Sequence, residues 1–164
     1  MDIVSPARRS RMMSGIRSSN TQPELVVRST AHRMGLRFRL HRRMLPGSPD
    51  LVLPRWNLAI FVHGCFWHRH GGCRLCAEPK TRSEFWQAKF KANVARDREA
   101  VKRLKALGWR VEVIWECETK NADAVACRLW RATFGSSYSN DVRPRIELGK
   151  LAALACQGEP HAGT

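Results

Sequence analysis

One short stretch, residues 61–73, collects many of the chemically versatile side chains of this sequence. It reads Phe-Val-His-Gly-Cys-Phe-Trp-His-Arg-His-Gly-Gly-Cys, with three histidines, two cysteines and a Phe-Trp pair. These side chains can ligate metal ions, transfer protons near neutral pH and stack on other rings. The apolar run at 58–62 predicts a buried strand, so we expect this chemistry at the end of a strand.

The cysteines indicate a metal site. There are six in the chain, and in a reducing compartment cysteines are more often ligands or free thiols than disulfides. Cys65, His70 and Cys73 are close in sequence, and Cys117 ends a later predicted strand, so together they could form a tetrahedral zinc site with no open position. Cys76 is a rival ligand, because Cys73-x-x-Cys76 is itself a ligand spacing, and unrelated free thiols are the simpler alternative.

A second candidate site begins at Asp50, which follows a proline turn and heads a short apolar run. In metal-dependent nucleases an aspartate in this position serves as a magnesium ligand, although a plain turn aspartate is the commoner case. The usual companion Glu-x-Lys is missing, because the next strand ends in Phe61-Val62-His63. The nuclease signal from Asp50 alone is therefore weak.

His63 and His68 add proton-transfer capacity beside that strand end. A histidine can take a proton from water or stabilise a charged phosphate near neutral pH. Glu24 could orient one of the two rings. Alternatively, it completes a capping box with Thr21 at the start of the first predicted helix.

Aromatic side chains next to cationic ones suggest contact with nucleic-acid bases. Phe66 and Trp67 lie on a predicted loop, Met13 lies in the basic N-terminal segment and Trp86 heads the longest predicted helix. Such side chains can wedge between base steps, although Phe66 and Trp86 could instead belong to the core.

Charge and composition agree with a polyanionic partner. The chain has 29 Lys and Arg against 14 Asp and Glu, a formal charge of +15, which favours DNA, RNA or an acidic membrane surface. No apolar run approaches the length of a membrane span, and the N-terminus lacks a signal-peptide core, so we expect a cytoplasmic protein.

The predicted elements form an α/β sandwich around a mixed sheet. They are a helix opening at Thr21 and ending at Gly35, strands at 36–41, 51–53 and 58–62, a helix at 84–107, a strand at 109–115 and a helix at 122–134. Asp97 lies on the apolar stripe of the long helix, between Val94 and Val101. We expect a basic arm at 1–19, one folded domain at 20–134 and a flexible tail at 135–164.

Several motifs in one order closely resemble the very short patch repair endonuclease family. They are Arg9–Met13, Leu45–Asp50, His63–His68, Thr81–Trp86, Asn93–Asp97, Gly108–Val111 and Trp115–Cys117. The resemblance implies a restriction-endonuclease-like α/β fold, a central mixed β-sheet flanked by helices, with a structural zinc site. It also implies Mg²⁺-dependent nicking of the T strand, 5′ to the thymine of a T·G mispair. The partners would be double-stranded DNA and mismatch-repair proteins, and we expect a monomer.

The resemblance also implies roles for individual residues. Asp50 would bind Mg²⁺ beside the backbone carbonyl of Val62, which stands where the family usually has threonine. His68 would be the general base, oriented by Glu24. Two further catalytic residues would be His63, which stabilises the transition state, and the acidic neighbour Asp97. The zinc ligands would be Cys65, His70, Cys73 and Cys117, and the DNA wedge Met13, Phe66, Trp67 and Trp86. Two rival functions are a non-catalytic, zinc-stapled DNA-binding module and a restriction-like nuclease of other specificity.

Overall fold

The computed structural model describes residues 19–135, and within them the chain forms three α-helices, two short 3-10 helices and four strands. The α-helices and strands carry the labels used below. These are α1 Gln22–Arg33, β1 Arg39–Leu40, β2 Leu51–Leu53, β3 Leu58–His63, α2 Ser83–Ala106, β4 Arg110–Trp115 and α3 Ala122–Thr133. Most of the predicted basic arm, including Met13, and nearly all of the predicted tail lie outside the described residues.

The four strands form one mixed sheet in the order β1-β2-β3-β4. β1 pairs with β2 and β2 with β3 in antiparallel fashion, whereas β3 and β4 are parallel. In the parallel pair, His63 lies opposite Trp115. The carboxyl ends of β3 and β4 therefore meet at one edge of the sheet, and the prediction of a mixed α/β fold is confirmed.

Helices cover both faces of the sheet because the buried side chains of β3 alternate between them. Leu58 and Ile60 pack in a cluster with residues of α1 and α3. Ala59 and Phe61 pack instead with Leu104 of α2. The result is a three-layer arrangement with α2 on the face toward which His63, two residues beyond Phe61, also points.

The first helix starts as the capping box predicts. The Thr21 side chain accepts a hydrogen bond from the Glu24 N–H, and the Glu24 carboxylate accepts one from the Thr21 N–H. Glu24 is only 4% exposed, so the cap places a buried carboxylate near the sheet. Gly35, with φ of 70°, follows the end of the helix in the left-handed conformation that glycine favours.

The strand predicted at 36–41 is much shorter than expected, since only Arg39–Leu40 pair with β2. Leu36 still belongs to the end of α1, where its N–H donates to the Ala31 carbonyl at 3.0 Å. At the other end His41 has a φ of 44°, outside the extended region, which stops the pairing. The alternating pattern was right about the buried Leu36 and the half-buried Phe38, but Leu40 is exposed and only two residues pair.

The long helix α2 connects the two parallel strands. Its predicted apolar stripe is confirmed, with Phe90 and Leu104 buried and Asp97 half-buried between them. No helix among residues 19–135 combines the length and apolar character needed to cross a membrane.

Candidate functional site

A cavity of about 950 Å³ opens where β2 begins and β3 ends. We call it the main cavity. The chemically active residues that line it are Glu24, His41, Asp50, Val62, His63, His68, Asp97 and Glu116. All six residues predicted to act catalytically or to bind magnesium thus line one cavity.

Asp50 is fixed at the start of β2 by the neighbouring strand. Its Oδ2 accepts a hydrogen bond from the Val62 N–H at 2.7 Å. Burial raises the pKa of Asp50 to about 6, with the Val62 hydrogen bond acting in the opposite direction and the Glu24 charge adding to the rise. A divalent cation or another positive group beside it would offset that cost.

The Val62 carbonyl faces the same side as Asp50. The His63 carbonyl accepts from the Glu116 N–H at 2.9 Å, so it points toward β4. Backbone groups of successive strand residues point in opposite directions across the sheet, while the N–H and C=O of one residue share a direction. A carboxylate oxygen and a peptide oxygen are therefore available together at this edge.

Glu24 lies on the Asp50 side of the main cavity, held by Arg28. The Arg28 Nη2 is 2.7 Å from Glu24 Oε2 and 2.8 Å from His41 Nε2. Because a guanidinium only donates, His41 Nε2 is the acceptor and its proton is on Nδ1. Ligand atoms of Glu24, His41 and Asp50 all lie within 4.8 Å of one another.

Sequence reasoning missed His41. It stands at the end of an alternating run among arginines, and no local pattern marks it. Only the pairing of β1 with β2, which sets the loop ending at Asp50, brings it to the cavity.

His63 and His68 form a stacked pair, with ring centroids 3.9 Å apart and planes 12° apart. His68 Nδ1 is 2.5 Å from Asp97 Oδ2. The carboxylate that orients His68 is therefore Asp97, whereas we had expected Glu24. Asp97 reaches His68 because α2, which connects β3 to β4, brings the charged position of its apolar stripe over the end of β3.

Burial governs the charge states of these groups. It lowers the pKa of His63, which is only 8% exposed, to about 4, and the neighbouring His68 acts in the same direction. Burial alone would raise the pKa of Asp97, but its hydrogen bond to His68 and the histidine charges outweigh this and lower it. Near neutral pH His63 is thus a neutral ring and Asp97 an anion.

His63, His68 and Asp97 have ligand atoms within 4.8 Å of one another, but the stacking argues against a shared metal ion. Imidazole lone pairs lie in the plane of the ring, and the two rings are nearly parallel at 12°. Their lone pairs therefore cannot converge on one ion. The arrangement suits proton transfer and charge stabilisation instead.

A separate group of sulfur and nitrogen atoms lies beyond His63. We call it the thiol cluster; it comprises Cys65, His70, Cys73 and Cys117, whose ligand atoms are all within 4.8 Å of one another. His70 Nδ1 is 3.6 Å from Cys65 Sγ and 3.3 Å from Cys117 Sγ. Cys76 lies outside the cluster, although its N–H donates to the Cys73 carbonyl at 2.9 Å.

Trp115 at the end of β4 and Glu116 directly after it connect the thiol cluster to His63. Trp115 stacks on His70 at 4.2 Å and meets His63 edge-on at 5.4 Å. The Glu116 carboxylate accepts from the Cys65 N–H at 3.1 Å. The turn after β3 is thereby attached to β4 at several points.

An aromatic group lies at the start of α2. Phe66, Trp67 and Trp86 are neighbours, with centroid distances of 5.1 to 6.0 Å between them. All three are half-buried, and the Phe90 ring contacts those of Phe66 and Trp86. Trp67 also lines the main cavity, which brings an aromatic side chain next to the catalytic candidates.

Comparison with known proteins identifies the family. A family model described as DNA mismatch endonuclease Vsr matches residues 1–74. The Type II nicking enzyme V.XorIIP of Xanthomonas oryzae pv. oryzae is 52% identical over 128 residues, covering 78% of this chain and 93% of that protein. The DNA mismatch endonuclease Vsr of Escherichia coli is 43% identical over 122 residues, covering 74% and 78%. The chain therefore belongs to the Vsr family of DNA mismatch endonucleases.

Proposed function

We propose that this protein nicks the T strand of a T·G mispair, 5′ to the thymine, in a reaction that requires Mg²⁺. The observation that carries the proposal is the main cavity, which Asp50 lines together with the paired His68 and Asp97. The names of its relatives, which include nicking enzymes and a mismatch endonuclease, support the reaction class.

The donor atoms at Asp50 suit magnesium. Mg²⁺ prefers hard oxygen ligands and keeps several waters, which one carboxylate and one peptide carbonyl would allow. We therefore assign Asp50 and the Val62 carbonyl as its protein ligands; a valine serves as well as a threonine if only the backbone is used. When bound, Mg²⁺ would supply positive charge against the charge that develops on the phosphate.

The histidines would handle protons and the remaining charge. Asp97 holds His68 through Nδ1 and leaves Nε2 free to take a proton from the attacking water. His63, neutral near pH 7 because burial lowers its pKa to about 4, would stabilise the transition state by a hydrogen bond. For Glu24 we propose a positioning role, through Arg28 and His41, in place of the orientation of His68.

The thiol cluster would hold one structural Zn²⁺. With Zn–S of about 2.3 Å and Zn–N of about 2.0 Å, a tetrahedral ion separates sulfur and nitrogen ligands by about 3.5 Å. The spacings of His70 Nδ1 to Cys65 Sγ and Cys117 Sγ, 3.6 and 3.3 Å, bracket that value. Four protein ligands leave no open position, so the ion would stabilise the fold.

The aromatic group would find the mispair. The base stack would be entered by the rings of Phe66, Trp67 and Trp86. Met13 of the basic arm would approach from the other groove. Unstacking a matched step costs a few kcal/mol, and a mispaired step is easier to open. Phe66 and Trp67 lie on the turn that is attached to β4. Their rings would therefore lose little conformational entropy when they insert into the base stack.

The wider proposal keeps the remaining expectations. The domain at 20–134 would adopt a restriction-endonuclease-like fold, with a basic arm at 1–19 and a flexible tail at 135–164. We expect a cytoplasmic monomer that acts on double-stranded DNA and meets mismatch-repair proteins.

The deciding experiment offers labelled duplexes with each mispair, and a matched duplex, to the purified protein with Mg²⁺ or with a chelator. We expect a nick only in the T strand of the T·G duplex and only with Mg²⁺. Cutting of a different mispair or of matched DNA would favour a nuclease of other specificity. Binding without cutting would favour the non-catalytic module, which the missing Glu-x-Lys motivates.

A further inference from the structure

The loop that joins β1 to β2 connects two residues of the main cavity. It starts at His41 and ends at Asp50, both of which line the cavity. Between them are two consecutive turns: the Leu45 N–H donates to the Arg42 carbonyl at 2.9 Å, and the Ser48 N–H donates to the Leu45 carbonyl at 3.0 Å. The shape of the loop is therefore set by its own hydrogen bonds.

The same loop rests tightly on the body of the domain. Gly47 has a φ of 73°, and a Cβ there would lie 2.6 Å from Ala100 Cβ and 3.1 Å from the Phe61 ring. Only glycine fits this close approach. The loop tip thus keeps a fixed position relative to Asp50.

Three residues at the tip, Arg42, Arg43 and Met44, face solvent. Met44 is 93% exposed, so it contributes almost nothing to folding. Within residues 19–135 neither guanidinium has a hydrogen-bond or salt-bridge partner, and Arg43 lines the main cavity. Guanidinium groups in this state are ready for paired hydrogen bonds to phosphate oxygens.

This tip and the aromatic group come from different segments of the chain. The tip precedes β2, and its neighbour Leu45 packs against the cluster of Ala59, Phe61 and Leu104. Trp67 follows β3 and belongs to the aromatic group at the start of α2. A DNA strand with its scissile phosphate at Asp50 carries further phosphates in both directions, one for each 3.4 Å or so of rise. A phosphate beside the scissile one would meet the tip, because the loop that carries the tip ends at Asp50 and Arg43 lines the same cavity.

We infer that Arg42, Arg43 and Met44 form a second DNA contact, separate from the aromatic wedge. The two guanidiniums bind phosphates of the nicked strand beside the scissile one, and Met44 packs against the sugar edge of the groove. This inference rests on the proposed function, because it takes Asp50 as the position of the scissile phosphate.

Salt dependence of binding tests the phosphate contacts. Removing an arginine that binds one phosphate lowers the slope of log affinity against log salt by about one. We expect that decrease for Arg42→Gln and for Arg43→Gln. Arg33→Gln is the matched control, because Arg33 is an exposed arginine at the far end of α1, roughly 13 Å along the helix from Glu24.

Met44 has its own control. Met44→Ser should weaken binding several-fold without changing the slope, since it removes an apolar contact and no charge. Leu107→Ser, at a side chain 61% exposed beyond the end of α2, should leave the affinity unchanged.

Neutral methylphosphonates at single positions of the duplex then locate the contact. A substitution next to the nick should weaken binding of the natural protein and have no further effect on Arg43→Gln. The inference would be overturned if the slope of log affinity against log salt were the same for Arg42→Gln and Arg43→Gln as for Arg33→Gln. It would also be overturned if the methylphosphonate weakened binding equally in the natural protein and in Arg43→Gln. These experiments measure binding, so their outcome is independent of the nicking test. If the natural protein nicks the T·G duplex but the tip substitutions leave binding unchanged, the tip contact is refuted and the proposed function is not.

Discussion

The thiol cluster and the main cavity lie side by side at one edge of the sheet, yet their donor atoms are arranged in opposite ways. In the thiol cluster the donors face one another within 4.8 Å. In the main cavity several candidates are paired with a fixed protein group, as Asp50 is with the Val62 N–H and His68 with Asp97. A metal ion bound in the thiol cluster would use all four donors. The paired residues of the main cavity each keep a further atom that could contact a substrate.

This contrast shows how a single turn can serve structure and chemistry together. His63 and His68 belong to the cavity, while Cys65 and His70 between and beyond them belong to the thiol cluster. Neighbouring residues can point to different sites because the chain after β3 turns tightly, with the His68 N–H donating to the Gly64 carbonyl at 3.1 Å. Disturbing the thiol cluster should therefore affect both sites, whereas disturbing the cavity should affect only one.

The largest effect is expected from Cys117→Ser. Zinc contributes roughly 10 kcal/mol to small zinc domains, comparable to the whole stability of a typical domain. The variant should lose zinc and most of its folded population, as measured by elemental analysis and thermal unfolding. Cys76→Ser is the matched control and should retain one zinc; zinc retained in Cys117→Ser but lost in Cys76→Ser would reverse our choice of ligands.

Asp50→Ala should come next and should separate the two sites. We expect nicking of the T·G duplex to fall by about 10³-fold or more, because the magnesium ligand and its charge stabilisation are removed. Zinc content should stay at one per chain and DNA binding should persist. Equal nicking by the variant and the natural protein would mean that Asp50 holds no catalytic ion.

Asp97→Asn is expected to have a smaller effect within the cavity. An amide cannot stabilise the charged imidazole, so the single-turnover nicking rate should fall by about 10²-fold with little change in binding. Glu99→Gln makes the same chemical change at an exposed position two residues along α2 and should leave the rate unaltered. Equal rates in the two variants would remove Asp97 from the mechanism.

The smallest effect is expected from Trp67→Ala. The preference for mispaired over matched DNA should decrease by about tenfold, or ~1.4 kcal/mol, while the steep salt dependence of binding persists. Phe85→Ala, at an exposed ring that meets Trp86 edge-on at 5.5 Å and is outside our predicted wedge, should change the preference less. If the preference survives in Trp67→Ala with full nicking, discrimination lies elsewhere in the protein.

The sequence predicted most of what is local. Thr21 and Glu24 mark a helix start through contacts three residues apart, and the apolar stripe marks α2 over its whole length. The candidate ligands at 65, 70 and 73 are likewise close in the chain, so their grouping follows from spacing. Grouping Cys117 with them needed the additional assumption that two strand ends meet.

What the sequence missed depends on contacts between distant segments. The pairing of His68 with Asp97 joins positions 29 residues apart, and it follows from the path of α2 across the sheet. The same holds for His41, which reaches the cavity because β1 pairs with β2 and the loop between them starts at His41 and ends at Asp50. The family resemblance implied Glu24 as the partner of His68, and nothing in the chain reveals that Arg28 already binds the Glu24 carboxylate.

Trp115 has an evolutionary implication for the two neighbouring sites. One face of its ring lies on His70 and its surroundings include the edge of His63, so a single side chain fills the boundary between the thiol cluster and the main cavity. A lineage that discards the whole thiol cluster would lose the His70 ring on which Trp115 stacks, and Trp115 would then keep its contact with His63 without that support. We expect relatives that lack the cluster to carry a smaller residue at this position, so that the loss of the metal and the loss of the tryptophan are inherited together.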